Sequence, residues 1–505
     1  MKIIYRLKWA MLGAAPVALC LWALGTWARA PQSRTVIPLS PVSTSVLVSQ
    51  AVHQGLIQPF GPAAKPSHGL SLACSPAPCV LPPLQLSEGG SPVNETPVAN
   101  NPTNSTQLVA GANDYNCSAV QGVYNSGDTG STWSHTCINT LSGLFGEGDP
   151  GVGYDLHGNS YFSGIDANST LTFGEIIYEK SANNGVTWSS PKVAVKPLLS
   201  GLTDKDWLQI DTNPKSPFAS ALYISTTQFN SSFTLTEVSV SHSTNGGSTW
   251  TTVAVSSQAT APAVNEFSDL GIAKDGTVYL TWMFCPGTGS AGDCGGTTAT
   301  LMFSKSTDGG NTWSTPSAIT TANLAPDSCV CAYYGNLPNT DERVSEIPAI
   351  GVDNSTGPHA GNLYVVYYNW SGTQMRVFVT TSTNGGTSWS KGVPVAPSTE
   401  THDQFFPWLS VSHRGIVGVS WLDRRNDPSN VSYEAFATIS PTGGVNFFPD
   451  VQLTTALSNP FNDGFGGFFL GDYTGNTWDG NTLFATWTDT SNGVDDQDEV
   501  GGYLP

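Results

Sequence analysis

An eight-residue phrase repeated along the chain restricts the fold more than any other feature. It reads SGDTGSTW at 126–133, SANNGVTW at 181–188, STNGGSTW at 243–250, STDGGNTW at 306–313 and STNGGTSW at 382–389. A worn copy, SPTGGVNF, fills 440–447. The closing aromatic returns every 55 to 76 residues, a period that fits one four-stranded unit. The phrase has turn chemistry. Asp or Asn can bond the backbone of its own turn, and Gly permits positive φ. Trp supplies an apolar wedge. The phrase holds no nucleophile–base pair, so it reads as architecture.

The flanking segments alternate as strands do. Around the worn copy, DQFFPWLSV, GIVGVSWLD, YEAFATIS and VQLT read as four strands, and the same order recurs at 346–396. Four antiparallel strands per repeat make a propeller blade, so the fold class is an all-β propeller. Six copies of the phrase imply six blades. After the sixth come GGFFLGDYTG (466–475), NTLFATWTD (481–489) and EVGGYL (499–504), three more strands. The segment 82–95 resembles the outer-strand region of blade six and can supply the missing fourth strand. Seven blades, closed by the N-terminal segment, are favoured over six.

Residues 1–30 carry Lys2, Arg6 and Lys8, an apolar run from Trp9 to Ala28, and an Ala28-Arg29-Ala30 cleavage pattern. They read as a signal peptide, with an uncleaved anchor as the alternative, and the chain is expected to be secreted, extracellular or periplasmic. These residues hold four of the 19 basic groups and none of the 38 acidic ones, so the mature chain has a formal net charge of −23. Such a chain should repel nucleic acid, and no membrane contact is expected after cleavage. Residues 31–83 are rich in Pro, Ser and Ala and read as an arm or linker; the propeller is placed at 84–505. Eight mature cysteines fall as neighbours, 74/79, 117/137, 285/294 and 329/331, which suggests local disulfides. No His is read at ligand spacing beside them, so no zinc or other metal site is expected.

The repeated phrase resembles the Asp-box, or bacterial neuraminidase repeat, of the sialidase superfamily, over roughly residues 84–505. The resemblance implies that each box joins the third and fourth strands of a blade, on the face away from substrate. It also implies a site of three arginines that hold a carboxylate, an Asp acid/base, and a Tyr nucleophile activated by a Glu. Carried onto this chain, Tyr473 is the nucleophile candidate, Glu346 its base, and Asp149 or Asp206 the acid. Arg343, Arg424 and either Arg376 or Arg425 form the candidate clamp. The early inner strands lack the family's Arg-Ile-Pro motif.

The residues give a reading of their own. An acid stands at or just before each inner strand: Glu95, Asp149, Asp206, Glu266, Glu346 and Asp403, with Asp463 or Asp472 in the seventh repeat. Blade symmetry would place them in a ring round one mouth of the axial channel, where paired carboxyls could serve a glycosidase. Strand-start caps for backbone amides are the plainer role. Trp207, Trp282, Trp408 and Trp421 are either sugar platforms or packing between blades. No cofactor is required; calcium is a candidate at the acidic tail 489–499. The expectation is a monomeric, secreted, sialidase-like propeller acting on glycans, an exo-α-sialidase type glycoside hydrolase. The alternatives are a non-catalytic propeller binding glycan or protein, and a glycosidase or lyase for another polysaccharide.

Overall fold

The computed structural model describes residues 44–56, 77–87, 90–287, 297–326, 335–340, 342–467, 469–493 and 497–505. The signal-peptide reading, Arg34 and Cys74, Cys294, Cys329 and Cys331 lie outside the described residues. So does part of the acidic tail. No helix among the described residues is long and apolar enough to cross a membrane.

The strands form seven antiparallel sheets of at least four strands each. Their inner strands, in order round the ring, are Val93–Asn94 continued by Val98–Asn100, then Phe145–Tyr154, Ser200–Ile210, Val264–Ile272, Ala349–Val352, Gln404–Val411 and Gly475–Asp479. Each inner strand packs against the next, and Gly475–Asp479 packs against Val98–Asn100 to close the circle. Closure is also covalently staggered. The outer strand of blade seven is Cys79–Gln85, which pairs with Gln497–Leu504 from the far end of the chain. Seven blades and the N-terminal closing strand match the sequence expectation. The seam adds polar bonds: Thr486 Oγ1 donates to the Thr96 carbonyl, and Thr477 Oγ1 to Asn100 Oδ1 at 3.0 Å.

Each copy of the phrase is the turn between the third and fourth strands. In 126–133 the Gly130 amide donates to Ser126 Oγ at 2.8 Å, the Thr132 amide to Asp128 Oδ1 at 2.8 Å, and Trp133 Nε1 to the Gly130 carbonyl at 3.0 Å. The second glycine must be glycine for two reasons. Gly386 has φ +84°, and a Cβ there would stand 2.1 Å from the Phe303 ring of the preceding blade. The turn therefore seats each blade on the one before it.

Inner strands share a second device. The register slips between Gly148 and Gly151, Asp204 and Trp207, Glu266 and Asp269, and Phe405 and Trp408. At each slip one residue has positive φ: Asp149, Lys205, Phe267 and Phe406; Glu95 holds the corresponding place in blade one. These bulges lie at the mouth opposite the repeated turns, because each strand reverses the direction of the last.

Two sequence expectations change. The segment 466–475 is not a strand. Asp463 accepts from the Phe465, Gly467 and Phe469 amides, which folds it into a loop, and the inner strand starts only at Gly475. Within the proline-rich arm, Thr44–His53 is a helix. Val46 and Val48 are fully buried. Val46 packs towards Ile165 and Leu202, while Val48 and Ala51 pack with Tyr115, Val120, Phe465 and Phe469. His53 Nε2 lies 2.7 Å from the Gly146 carbonyl. The helix thus lies across the mouth over blades one, two and seven.

Candidate functional site

The acids do not form a symmetric ring. Register explains why. A strand turns successive side chains to opposite faces, so an offset of one residue moves a carboxylate out of the set. Glu95 and Asp149 occupy the bulge position, Asp206 follows it, Glu266 precedes it, and Asp403 lies three residues before Phe406. The structure gathers an asymmetric group instead: Glu95, Asp149, Asp206, Asp472, Lys205 and Tyr473, all buried.

The centre of this group is a carboxyl pair. The Glu95 and Asp149 carboxyls are neighbours here, close enough to act on each other directly. Burial, then Asp149 and Asp472, push the Glu95 carboxyl well above the usual range, against the pull of Lys205. Glu95 Oε1 accepts from the Asp472 amide at 2.8 Å, and the Asp149 amide donates to Asn113 Oδ1 at 2.9 Å. Asn113 Nδ2 in turn donates to Ser45 Oγ of the covering helix at 2.8 Å. Asp206 is raised by burial although Ser163 Oγ donates to it at 2.5 Å. Four carboxyls face two cations, Lys205 and Arg343.

Aromatic rings floor the group. Trp207 and Trp408 lie 4.3 Å apart by centroid, across the axis, and Tyr473 meets Trp207 edge-on at 5.6 Å. Lys205 Nζ sits 3.8 Å from the Tyr473 ring centroid and 5.0 Å from that of Trp207. It makes no hydrogen bond and is held by these π faces.

The remaining sequence-derived candidates are placed as follows. Tyr473 is at the centre, but its hydroxyl donates to the Pro150 carbonyl at 3.2 Å. Burial and the carboxyls of Glu95, Asp149, Asp206 and Asp472 push its pKa up, which opposes a tyrosinate. Glu346 does not meet it. Glu346 Oε1 accepts from the Tyr368 amide at 3.3 Å, and burial raises its pKa. Arg343 reaches the group but forms a buried two-point pair with Asp472, at 2.7 and 3.2 Å. Asp403 caps the Met375 amide and accepts from Asn430, with Arg424 Nη1 at 3.5 Å. Arg424 is fully buried on the Pro338 and Asn430 carbonyls and Thr340. Arg425 pairs with Asp423 and Asp450, both at 2.6 Å, over the Phe436 ring. Arg376 binds the Ala396, Pro397 and Glu400 carbonyls. Each of these arginines is engaged by internal partners; Arg376 and Arg425 meet at Glu400, while Arg343 and Arg424 are held by Asp472 and by backbone carbonyls.

Sequence reading missed Lys205, although a lone Lys between two acids in TDKDW was visible. It also left Asp472 undecided against Asp463. Only Asp472 joins the group, since Asp463 caps a loop. One further expectation fails. A histidine does stand beside a cysteine: His135 and Cys137, two apart on one strand, share a face, and His135 Nε2 lies 3.5 Å from Cys117 Sγ. Cys117 and Cys137 are disulfide-bonded, as their spacing led us to expect.

No family model and no curated protein matches the chain. Solved structures similar to it include a protein of unknown function from Dyadobacter fermentans, at 12% identity and TM-score 0.45, covering 73% of this chain and 96% of that one. The intramolecular trans-sialidase of Ruminococcus gnavus matches at 11% identity and TM-score 0.42, covering 67% and 91%. An α-L-arabinanase of Penicillium chrysogenum matches at 13% identity and TM-score 0.44, covering 70% and 92%. The architecture of this chain is a β-propeller, as the resemblance to the sialidase superfamily implies, and it has seven blades, as the strands after the sixth turn phrase suggest.

Proposed function

We propose that this protein is a secreted, glycosidase-type propeller acting on a neutral glycan, with Glu95 and Asp149 as its proton-transfer pair. The observation that carries this is the buried carboxyl group of Glu95, Asp149, Asp206 and Asp472 beside the Trp207 and Trp408 rings. A glycosidase needs one carboxyl that keeps its proton and another that does not. The Glu95 carboxyl is the one pushed upward by burial and its neighbours, so it is the general acid towards the glycosidic oxygen, with Asp149 as the carboxyl beside it. Asp206 is the remaining carboxyl able to receive a proton from water. Trp207 and Trp408 offer apolar faces to a sugar ring.

A neutral substrate is favoured over a sialoside by the engagement of Arg343, Arg376, Arg424 and Arg425 with internal partners. The carboxyl excess would also repel an anionic sugar. A second reading, a propeller that binds through its outer surface without catalysis, is favoured by the burial of the whole group under the helix Thr44–His53. Secretion rests on the leader-like residues 1–30 and agrees with the disulfide.

The test is hydrolysis of aryl arabinofuranosides and an aryl sialoside by the purified chain, beside Glu95→Gln and Asp149→Asn. Expected is cleavage of a neutral glycoside, reduced about 10²–10⁴-fold by either change. Rates should fall as pH rises and Glu95 loses its proton. Cleavage of the sialoside alone would overturn the neutral-substrate reading. No cleavage, even from a variant lacking residues 1–56, would favour the binding propeller.

A further inference from the structure

We propose that blade one carries a redox-gated zinc site formed by Cys117, Cys137, His135 and Asp114. It lies on the blade's rim, at the loop Asp114–Gln121 and the outer strand Ser134–Cys137, apart from the axial carboxyls. The donor set is that of a zinc centre: two sulfurs, an imidazole nitrogen and a carboxylate. The sulfur and nitrogen donor atoms of Cys117, Cys137 and His135 lie within 4.8 Å of one another. His135 Nε2 is 3.5 Å from Cys117 Sγ and 2.9 Å from Asp114 Oδ2. Bonds of roughly 2.0–2.3 Å put neighbouring donors round a tetrahedral zinc about 3.3–3.8 Å apart, so the His135–Cys117 spacing already fits, Asp114 has to move back a few tenths of an ångström, and the two sulfurs, joined as a disulfide, have to part on reduction.

The groups behind the donors are already in place. The imidazole of His135 stacks on the Tyr124 ring at 5.0 Å, with 24° between planes. The Tyr124 hydroxyl donates to Asp114 Oδ2 at 2.6 Å, and the Asn116 amide to Asp114 Oδ1 at 2.8 Å. One tyrosine thus orients the ring and anchors the carboxylate, the kind of support that tunes metal sites. The site is reachable: Cys137 is exposed and the His135 side chain is 22% exposed.

In the oxidised chain the two sulfurs are bonded to each other and no thiolate is offered. A dithiol reductant opens the site. It gives two electrons and two protons to the Cys117–Cys137 bond, which becomes two thiols, and leaves as its own cyclic disulfide. Zinc then displaces the two thiol protons and takes Nε2 of His135; the proton that Nε2 gave to the Asp114 hydrogen bond passes through water to Nδ1, so two protons are released in all. Asp114 exchanges its hydrogen bond from His135 for the metal. Oxidation reverses the sequence and releases the ion, so the pair is a staple in one state and a zinc ligand in the other.

Cobalt(II) is the probe, since its spectrum reports tetrahedral thiolate ligation. The full purified chain is reduced with dithiothreitol, freed of reductant under argon and titrated, beside oxidised chain. Expected is thiolate-to-cobalt and ligand-field absorption in the reduced chain alone, displaced by one equivalent of zinc. Cys117→Ser/Cys137→Ser should abolish it, which excludes the other cysteines as its source. His135→Ala and Asp114→Asn should weaken zinc by about 10–100-fold. Strand circular dichroism and the melting of each oxidised variant check that the fold is intact. Absence of the band in the reduced chain, its survival in the double cysteine variant, or indifference to His135→Ala in a folded variant would overturn the proposal. Any of these would leave the pair a structural staple only.

Discussion

The two mouths of the propeller are built from opposite principles. On one, six copies of a polar turn repeat the Ser-to-Gly-amide contact with an aromatic wedge beside it, and five of them add an Asp or Asn bond to a Thr or Ser amide, which Thr442 and the Asn446 amide replace in the worn copy. The charged tips, such as Asp128, are exposed and bonded locally. On the other, equivalent positions carry Glu95, Asp149, Lys205, Phe267 and Phe406, two acids, a lysine and two phenylalanines. Charge there is buried, paired across blades, and covered by a helix from the N-terminal arm. Where the blades need only to be joined, sequence repeats. Where side chains meet across the axis, each has a different partner and symmetry is lost.

The comparison can be broken most sharply at Arg343. Replacing it with Met leaves Asp472 buried without its partner. A loss of about 3–5 kcal/mol is expected in denaturant melts. The repeated mouth should fail by sterics rather than charge. Gly386→Val sets a side chain against Phe303 at positive φ and should cost about 3 kcal/mol, with strain and overpacking both contributing. The covering helix should behave as a local unit. Val48→Asp cannot keep its buried place, so about 2 kcal/mol of docking is lost. Trp207 fluorescence should then become more open to acrylamide quenching, while the main melting transition shifts little.

A pH test separates the mouths as well. The Glu95 carboxyl has a folded pKa above its unfolded value, so the folded chain binds the extra proton. This stability is full below the ordinary carboxylate range and is lost as pH rises towards the raised value. Glu95→Gln should flatten that decline between pH 4 and 8. Asp308 of a repeated turn works the other way: hydrogen bonds from Thr312 hold its pKa down to about 2, so Asp308→Asn should show its cost only above that value. The smallest effect is expected at Val186, an exposed turn tip, where Val186→Ser should stay within about 0.5 kcal/mol.

Legibility in the sequence followed the same divide. The blade count and the N-terminal closing strand were readable, because turn residues act locally and the phrase recurs. The axial acids were readable as a type, yet their alignment was not, since a one-residue bulge decides which face each presents. Glu346 and Asp403 were grouped with Glu95 by spacing alone and lie in different surroundings. The arginines looked like a clamp because sequence shows charge and not partners; Arg424 is fixed by carbonyls 86 and 6 residues away. His135 was overlooked beside Cys137 because the ligand spacing sought was helical or looped, whereas i and i+2 share a face on a strand.

The sequence by itself determined the repeating unit and its turn chemistry, for these rest on contacts within a few residues, while the seventh blade is completed by pairing Cys79–Gln85 with Gln497–Leu504 from the far end of the chain. Tertiary structure alone decided which carboxyls meet at the axis, which arginines are engaged and what lies over the mouth. Those outcomes depend on burial and on partners from distant blades, such as the Asp472 amide on Glu95, 377 residues apart along the chain.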